Sequence, residues 1–390
     1  MRRRVEVLLI GGGVASVRCA RMLRRRGFGG SILLIGDEPT LPYNRPPLSK
    51  ELLRGEVDFE LVAAEPAAWY ARQRVEVLTD MPVASLDPEA RLALLTDGSS
   101  VAFEQCLLAT GAAPRRPPIP GAEHAHLLRT LADAQRLRQL ASSGGVAVIV
   151  GGGFIGVEVA ASLASLGMRV TVLEMTPALW GGVLGGDLSQ WAVGTLAAVG
   201  VEVRTGMRVT RLEPDGVLIG DERLPADLLI TGVGVTPRVE LAAAAGLAVD
   251  DGVLADERHR TSAPGIFAAG DVARVAGRRV EHWHAAREGG EAAALAMLGQ
   301  PAPDSRPPWV FSEFAGVSLD VVGWAAAWDE ALPLLGGALV AYLVGGRVAQ
   351  LAIVGSAVSV EDARALLRRA PAVDELQHWL SSAAGAAPRR

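Results

Sequence analysis

The sequence contains one pattern twice: an apolar run, a triple-glycine turn, a helix-compatible run, a second apolar run and an acidic residue. In the first copy the run 5–10 leads into GGGVAS, and Asp37 follows the second run. In the second copy the run 146–150 leads into GGGFIG, and Glu174 follows the second run. A strand that ends in such a turn and opens a helix presents backbone N–H groups to a phosphate. The repeat therefore predicts an α/β fold with a duplicated dinucleotide-binding unit.

The second copy carries the complete fingerprint, with Gly151, Gly153 and Gly156 at the required spacing. Its acidic residue, Glu174, can accept hydrogen bonds from both hydroxyls of a ribose. The next three residues, 175–177, are Met-Thr-Pro and offer no cation to a 2′-phosphate. The second copy therefore predicts an NADH site and disfavours NADPH.

The first copy departs from the fingerprint at its third position, where Ser16 follows Gly11 and Gly13. Serine is still small enough for the helix and the strand to approach each other. Asp37 is the first candidate for the ribose-binding acid, and Glu38 is the alternative. Two sites in one chain imply two dinucleotides, and the usual pair is a permanently held FAD and an exchanging nicotinamide. A repeat with one inactive site is the alternative.

The domain organisation is predicted from connectors and unpaired apolar runs. A proline-rich connector at 114–120 indicates a crossing between domains, and the apolar run before Gly270-Asp271 needs a sheet to join. After Pro307-Pro308, alternating strands at 317–322, 338–344 and 347–354 precede a helix at 360–369. These features predict an FAD domain at 1–113 and 247–304, an NAD(H) domain at 114–246, and a C-terminal α+β domain at 305–390.

Composition removes several classes of function. The net charge of −5 argues against nucleic acid as a partner, because phosphate binding needs a surplus of basic residues. Cys19 and Cys106 are the only cysteines and form no CxxC pair, so we expect a reduced, cytoplasmic protein without a redox disulfide. The histidines have no metal-site spacing, and we expect no metal. No apolar run reaches the ~20 residues that span a bilayer, so we expect no membrane association.

One segment, LPYNRPPLSK at 41–50, resembles the PYxRPPLSK motif of the FAD-dependent ferredoxin reductases, the family typified by putidaredoxin reductase and the reductases of biphenyl-type dioxygenases. Apoptosis-inducing factor shares this motif. Other segments are also similar to that family, and together they extend over nearly the whole chain: ATG at 109–111, LRTLADA at 128–134, TGVGVTP at 231–237, AAGD at 268–271 and EHWxxA at 281–286.

The resemblance implies a flavoprotein enzyme in which NADH reduces FAD and a ferredoxin-like iron-sulfur protein carries electrons to an oxygenase. It also implies which residues bind the two cofactors. The residues implied for FAD are Gly11, Gly13, Ala15, Ser16, Asp37, Arg45, Lys50, Val83, Ala109, Thr110, Gly111, Arg129, Gly270, Asp271 and Trp283. The NADH site, with the residues that the resemblance adds, comprises Gly151, Gly153, Phe154, Ile155, Gly156, Glu174, Gly232 and Gly234.

The resemblance further implies that Lys50 pairs with Glu158, the glutamate that follows GGGFIG, and that both act in catalysis. Lys50 is the only lysine among 38 basic residues, so a position that keeps lysine is unusual here. An ammonium held beside flavin N5 would stabilise the negative charge that builds up during reduction. The alternative is a solvated ion pair that contributes ~0 to 1 kcal/mol.

The sequence departs from the family pattern at positions expected on the flavin-facing surface. Phe311 replaces the expected indole within Val310–Phe314, Glu313 replaces an aspartate, and Ala285 and Gly289 replace an asparagine and a glutamine. Arg238 stands where the family often has asparagine. These changes leave the electron acceptor open, so a stand-alone flavin oxidase or tailoring oxidoreductase and a redox-sensing interaction protein remain alternatives. A monomer and a homodimer are equally compatible with the sequence.

Overall fold

The structure is a computed structural model that describes residues 2–180, 183–301 and 306–384. In chain order the described helices are α1 (Val14–Arg25), α2 (Glu51–Arg54), α3 (Phe59–Val62), α4 (Ala67–Arg72), α5 (Leu131–Ala141), α6 (Phe154–Ser165), α7 (Gly186–Ala198), α8 (Glu240–Ala244), α9 (Trp283–Met297), α10 (Val360–Leu367) and α11 (Val373–Ala384). None of these described helices combines the length and the apolar character that crossing a membrane requires.

The described strands up to residue 237 are β1 (Arg2–Ile10), β2 (Ile32–Ile35), β3 (Val75–Leu78), β4 (Val83–Asp87), β5 (Leu92–Leu95), β6 (Ser100–Leu108), β7 (Ala112–Pro114), β8 (Val146–Val150), β9 (Arg169–Glu174), β10 (Val201–Thr205), β11 (Arg211–Glu213), β12 (Gly216–Ile219), β13 (Glu222–Pro225), β14 (Leu228–Thr231) and β15 (Val235–Pro237). The later strands are β16 (Val249–Asp250), β17 (Gly252–Ala255), β18 (Ile266–Ala268), β19 (Ala273–Val275), β20 (Trp309–Phe314), β21 (Val317–Gly323), β22 (Glu330–Leu334), β23 (Leu339–Val344) and β24 (Arg347–Val354).

The chain divides into two compact units, each built from several segments. The first unit comprises Met1–Pro46, Val57–Ala113 and Val235–Asp304, and the second comprises Pro47–Glu56, Pro114–Gly234 and Ser305–Arg390. After the short segment 47–56, the chain returns to the second unit at Pro114, where the proline-rich connector begins.

At two segments the bounds of the compact units differ from the predicted domain bounds, and the domain organisation stays a prediction. Residues 47–56 belong to the second unit because Leu53 is fully buried in its core and α2 packs against α5 and α6. Residues 235–246 belong to the first unit because Ala242 is buried in the same cluster as Leu8. Which dinucleotide each unit binds stays a prediction at this point.

The main sheet of the first unit has the strand order β3-β2-β1-β6-β5-β4, and β18 pairs with the carboxyl end of β6. Strand β1 lies parallel to both β2 and β6. Val7 and Leu9 face a core shared with α1 and α9, whereas Leu8 and Ile10 face a second core. Because both faces of this strand are covered, its sequence is an uninterrupted apolar run after Glu6.

The second unit repeats this arrangement in its parallel sheet, which has the order β10-β9-β8-β14. Strand β8 lies between β9 and β14, as β1 lies between β2 and β6. Ala147 and Ile149 point to one core and Val148 and Val150 to another. In each unit the strand that ends in the triple glycine is therefore central. The predicted α/β fold with two Rossmann-like units is confirmed.

The C-terminal segment forms an antiparallel sheet with the order β20-β21-β24-β23-β22, against which α10 and α11 pack. The three predicted strands correspond to β21, β23 and β24. Strands β20 and β22 were not predicted, and both lie at the edges of the sheet. Pro333 lies within β22, a position that an edge strand tolerates because proline cannot donate a ladder hydrogen bond.

Candidate functional site

The first triple-glycine turn packs tightly against the segment that follows β6. Gly11 has φ of +119°, and a Cβ added there would lie 2.1 Å from the carbonyl oxygen of Ala109. The N–H of Ala109 donates to the Ile10 carbonyl at 2.8 Å. A Cβ at Gly270 would lie 3.4 Å from the Cβ of Ala15 at the start of α1. The structure thus gathers three of the motifs implied for FAD around the beginning of α1.

The remaining members of these motifs are fixed by backbone contacts. Gly13 is the N-cap of α1, and Ser16 is fully buried with a hydroxyl that has no partner among the described residues. The hydroxyl of Thr110 donates to the carbonyl of Arg238 at 2.8 Å, and the N–H of Arg238 donates to the carbonyl of Gly111 at 2.9 Å. The ATG segment therefore holds the backbone of Arg238.

Two acidic residues follow β2, and each has a basic partner. Asp37 pairs with Arg238 at 2.7 Å, and both side chains are more than 40% exposed. Glu38 accepts from Arg45 at 2.7 Å and from the hydroxyl of Tyr43 at 2.5 Å. An exposed pair such as that of Asp37 contributes ~0 to 1 kcal/mol, so a ribose hydroxyl can displace it at little cost.

Arg45 connects the LPYNRPPLSK segment to the acidic residues of the same unit. Burial by itself would lower the pKa of Arg45, but Tyr43, Glu38 and Asp271 raise it, and the pKa ends above its ordinary value. Arg45 is therefore a permanent cation that interacts electrostatically with Asp271, the residue implied for the ribityl chain.

Trp283 and Val83 complete the positions implied for FAD in the first unit. Trp283 begins α9, and its indole N–H donates to the side-chain oxygen of Asn44 at 2.9 Å. The guanidinium of Arg287 lies 4.6 Å from the centre of the Trp283 ring. Val83 begins β4, where it pairs with Leu95 and is half-buried.

The second triple-glycine turn also packs tightly against backbone atoms. Gly151 has φ of +113°, and a Cβ added there would lie 2.5 Å from the Gly232 carbonyl oxygen. A Cβ at Gly156 would lie 2.0 Å from the Gly151 carbonyl oxygen. Both contacts are with backbone atoms, which cannot rotate aside as a flexible side chain can. Only glycine fits these positions in this arrangement.

Glu174 lies at the end of β9 with its carboxylate against this turn. One carboxylate oxygen accepts from the N–H of Gly152 at 2.6 Å, and the other accepts from the N–H and the hydroxyl of Thr176 at 2.7 and 2.8 Å. A carboxylate has about four acceptor sites, so capacity for a ribose hydroxyl remains. Ile155, in the first turn of α6, and Met175, which follows Glu174, are 47% and 59% exposed. Apolar surface is therefore available next to the glycine turn and next to the carboxylate.

The other positions predicted for NADH surround the same turn. Gly153 is the N-cap of α6, and Phe154 stacks on Trp180 with ring centres 5.5 Å apart. The carbonyl of Gly234, which has φ of +94°, accepts from the N–H of Arg115 at 2.9 Å. The sequence analysis missed Trp180, whose buried indole nitrogen has no partner among the described residues.

Two residues implied for FAD belong to the second unit. Arg129 directly precedes the N-cap of α5, and its N–H donates to the Asp133 carboxylate at 3.0 Å. Lys50 directly precedes α2, and its ammonium nitrogen lies 2.7 Å from a carboxylate oxygen of Glu158 on α6. The side chains of Lys50 and Glu158 are only 6% and 4% exposed. The pair is therefore buried, which removes the alternative of a solvated ion pair.

Two serines that the sequence analysis missed complete this cluster. The hydroxyl of Ser49 donates to the Glu158 oxygen that faces Lys50, and the hydroxyl of Ser312 on β20 donates to the other oxygen at 2.7 Å. The sequence contains a weak indication that Ser312 is buried and hydrogen-bonded. Alternation along the strand places Ser312 on the same face as the apolar Val310 and Phe314. A hydroxyl on an apolar face usually has a polar partner.

Phe311, which replaces an expected indole, lies beside this pair. The Lys50 nitrogen is 5.9 Å from the centre of the Phe311 ring. Trp309 supplies an indole two residues earlier on the strand, with its ring centre 6.2 Å from that of Phe311. The Trp309 N–H donates to Asp320 at 2.7 Å, and burial raises the pKa of Asp320.

The other three departures from the family pattern, Gly289, Ala285 and Glu313, lie on α9 and β20. A Cβ at Gly289 would lie 3.0 Å from the His259 ring, so the small residue makes room for a histidine. His259 is hydrogen-bonded to the Ala268 carbonyl at 2.8 Å, and burial lowers its pKa, which favours the neutral ring. Ala285 lies in the first turn of α9, and Glu313 is exposed on β20.

Among the described residues no group of three or more His, Cys, Asp or Glu side chains is arranged for a metal ion.

The two cysteines are packing residues. Cys19 and Cys106 are fully buried as free thiols in different hydrophobic clusters, and burial strongly raises the pKa of both. A thiol that resists deprotonation is a poor nucleophile. Disulfide exchange chemistry therefore has no residue to carry it in this chain.

The residues present fit one dinucleotide in each unit. Each glycine turn is closed by backbone that excludes a Cβ, each opens a helix, and each has an acid at the end of the next strand. These are the features that a pyrophosphate and a ribose require. The fold and these turns define a protein built to bind two dinucleotides, the arrangement of an α/β dinucleotide-dependent oxidoreductase.

Comparison with known proteins extends this conclusion. Residues 5–290 match the family model described as pyridine nucleotide-disulphide oxidoreductase. The chain is 41% identical over 336 residues to the biphenyl dioxygenase system ferredoxin–NAD(+) reductase component of Paraburkholderia xenovorans, covering 83% of this chain and 82% of that protein. It is 32% identical over 388 residues to putidaredoxin reductase of Pseudomonas putida, covering 93% and 91%.

Solved structures show the same relationship. The putidaredoxin reductase chain in its covalent complex with putidaredoxin superposes with a TM-score of 0.88 at 32% identity, covering 94% of this chain and 93% of that chain. A ferredoxin reductase for the CYP199A2 system of Rhodopseudomonas palustris gives a TM-score of 0.86 at 32% identity, covering 90% and 91%. The chain belongs to the pyridine nucleotide-disulphide oxidoreductase family, in the branch that contains the ferredoxin–NAD(+) reductases.

Proposed function

We propose that this protein oxidises NADH with a bound FAD and passes the electrons singly to a ferredoxin-like iron-sulfur protein that supplies an oxygenase. Each NADH gives up a hydride, whose two electrons reduce two one-electron acceptors while its proton is released to solvent. The observation that carries this proposal is the buried contact of 2.7 Å between Lys50 and Glu158 in a chain with a glycine turn for each dinucleotide.

When bound, FAD supplies two-electron acceptance from NADH and one-electron donation to the acceptor. The Lys50 ammonium provides a fixed positive charge, and Glu158 holds that charge in place. A fixed charge acts more strongly in a dry, low-dielectric site than in water, and it needs no reorganisation during the reaction. With FAD bound, the Lys50 ammonium would therefore stabilise negative charge on the flavin.

The residues of the second unit bind and orient NADH. The N–H groups at the start of α6 receive the pyrophosphate, and Glu174 accepts from the ribose hydroxyls. The exposed side chains of Ile155 and Met175 offer apolar contact to the adenosine.

The choice of an iron-sulfur acceptor is supported by the relatives and by the thiol chemistry. The named relatives reduce ferredoxins, putidaredoxin or rubredoxin. The buried thiols of Cys19 and Cys106 leave no cysteine to receive electrons from the flavin. A cytoplasmic location and the oligomeric state stay predictions.

The test is a steady-state assay of the FAD-loaded protein with NADH and cytochrome c. The assay is run with and without three acceptors: the ferredoxin of a biphenyl dioxygenase system, putidaredoxin and a rubredoxin. We expect at least one of them to raise cytochrome c reduction by more than about tenfold. Oxygen uptake that none of them changes would favour the stand-alone flavin oxidase. Slow flavin reduction followed by a change of oligomer mass would favour the redox sensor.

We also expect a preference for NADH over NADPH. The 2′-phosphate of NADPH would meet the Glu174 carboxylate, and no cation follows it at 175–177 to compensate. Like-charge repulsion of about 1.4 kcal/mol corresponds to a tenfold difference, so we expect kcat/KM to be at least about tenfold higher for NADH. Equal kcat/KM values for the two cofactors would contradict this assignment of Glu174.

A further inference from the structure

The carboxylate of Glu158 has more hydrogen-bond donors than an ion pair needs. One of its oxygens lies 2.7 Å from Lys50 and also accepts from the Ser49 hydroxyl. The other oxygen accepts from the Ser312 hydroxyl at 2.7 Å. Ser49 and Ser312 are 2% and 0% exposed, so both hydroxyls are withdrawn from water.

The Glu158 carboxylate and its hydrogen-bond donors come from separate parts of the second unit. Ser49 directly precedes Lys50, Glu158 lies on α6, and Ser312 lies on β20 of the C-terminal sheet. Helix α6 also contacts the backbone of the first segment, because the hydroxyl of Ser162 donates to the Ser49 carbonyl at 2.7 Å. The orientation of the carboxylate thus depends on three segments that are distant in sequence.

The arrangement has a physical consequence for the charge on Lys50. A buried ion pair is tolerated when further hydrogen bonds satisfy the carboxylate lone pairs and ammonium protons that the pair itself does not use. With donors on both oxygens, the carboxylate cannot rotate about its last bond without breaking at least one of them. The direction in which Glu158 attracts the ammonium is therefore fixed.

We propose that Ser49 and Ser312 are positioning residues for flavin reduction. They keep the Glu158 carboxylate in one orientation, and through it they hold the Lys50 ammonium in one place. Through Ser312, the C-terminal sheet thereby helps to hold Lys50 in place. This inference rests on the proposed function, since Lys50 is taken to act on the flavin.

The experiment uses the only lysine of the chain as a probe. Protein labelled with lysine carrying ¹³C at Cε gives one lysine side-chain signal, and its chemical shift reports the surroundings of the ammonium. The FAD-loaded full-length variants Ser312→Ala, Ser49→Ala and Thr195→Ala are compared with the parent protein. Thr195→Ala is the matched control, because this half-buried hydroxyl of α7 lies in the same unit and donates to the Trp191 carbonyl at 2.9 Å, not to the carboxylate or to the Ser49 segment.

Anaerobic stopped-flow measurement of flavin bleaching by NADH is the second readout. We expect Ser312→Ala and Ser49→Ala to move the Lys50 signal and to slow the limiting rate about tenfold, which corresponds to the loss of about one hydrogen bond to a charged group. The NADH concentration for half-maximal rate stays unchanged, because the Glu174 site is untouched. Thr195→Ala keeps the parental signal and stays within about twofold in rate.

The outcomes separate this inference from the function on which it rests. A Lys50 signal that stays at its parental position in both variants, or a limiting rate that falls equally in Thr195→Ala, would overturn the positioning role. A parent protein whose flavin does not bleach with NADH would overturn the proposed function, whereas the Lys50 signal would still test the hydrogen-bond network.

Discussion

Replacing Glu158 by alanine is expected to lower the free energy of unfolding by about 3 to 5 kcal/mol, because it leaves the Lys50 ammonium buried without its partner. The two side chains are 6% and 4% exposed, so water cannot take over the role of the carboxylate. Ser49 and Ser312 lose their acceptor at the same time. Urea denaturation followed by tryptophan fluorescence measures the change.

The double substitution Lys50→Met with Glu158→Leu provides the matched comparison. It removes both charges and keeps similar volumes, so we expect it to recover part of the stability that Glu158→Ala loses. The recovery stays incomplete because both serine hydroxyls lose the carboxylate to which they donate. A loss below about 1 kcal/mol in Glu158→Ala would show that the pair is solvated and would contradict its burial.

The same double variant separates stability from chemistry. We expect it to bind FAD and to be reduced by NADH roughly 10²-fold more slowly than the parent protein, the effect typical of removing one fixed electrostatic group. Lys50→Ala is expected to give a similar rate or to lose FAD. Unchanged flavin reduction and FAD content in both variants would remove Lys50 from the mechanism.

Gly156→Ala is the second substitution for which we expect a large effect. The new Cβ would lie 2.0 Å from the Gly151 carbonyl oxygen, so the turn that receives the pyrophosphate has to move. Overpacking of this kind costs about 1 to 3 kcal/mol. We expect the KM for NADH to rise at least about tenfold, while FAD content stays unchanged because the first glycine turn is intact.

Gly194→Ala is the matched control for this substitution. Gly194 lies inside α7 of the same unit, and no atom lies within 4 Å of a Cβ added there. Alanine in a helix interior is favoured over glycine by about 0.5 to 1 kcal/mol, so this variant is expected to be slightly more stable. Its KM for NADH stays at the parental value. A normal KM in Gly156→Ala would show that the turn tolerates a side chain and does not bind the pyrophosphate closely.

The two nucleotide folds could be predicted because their signals are local. An apolar strand, a turn that requires glycine and an acid at the end of the next strand all occur within about thirty residues, the length of one βαβ unit. The structure places Gly11 against Ala109 and Gly151 against Gly232, where added side chains would collide with backbone. The identity of the chemistry required more than this pattern, because PPLSK is understood only through its resemblance to known reductases.

The parts that the sequence analysis missed depend on packing between distant segments. Edge strands β20 and β22 lack a complete alternating pattern, and Pro333 obscures the second of them. Residues 47–56 belong to the second unit because Leu53 is buried in the core of that unit. Local sequence propensity does not indicate in which core a leucine will be buried. The hydroxyl of Ser312 has significance only because β20 lies against α6.

The amino-acid sequence alone determined that this chain has two dinucleotide-binding turns, since the conformational freedom of glycine and the period of apolar residues act within short segments. It also determined that a single lysine stands in the PPLSK segment. Only the tertiary structure decided that this lysine is buried against Glu158 and that two serines bond the same carboxylate. Contacts between distant segments follow from how whole sheets and helices fill a core, and no short stretch of sequence contains that information.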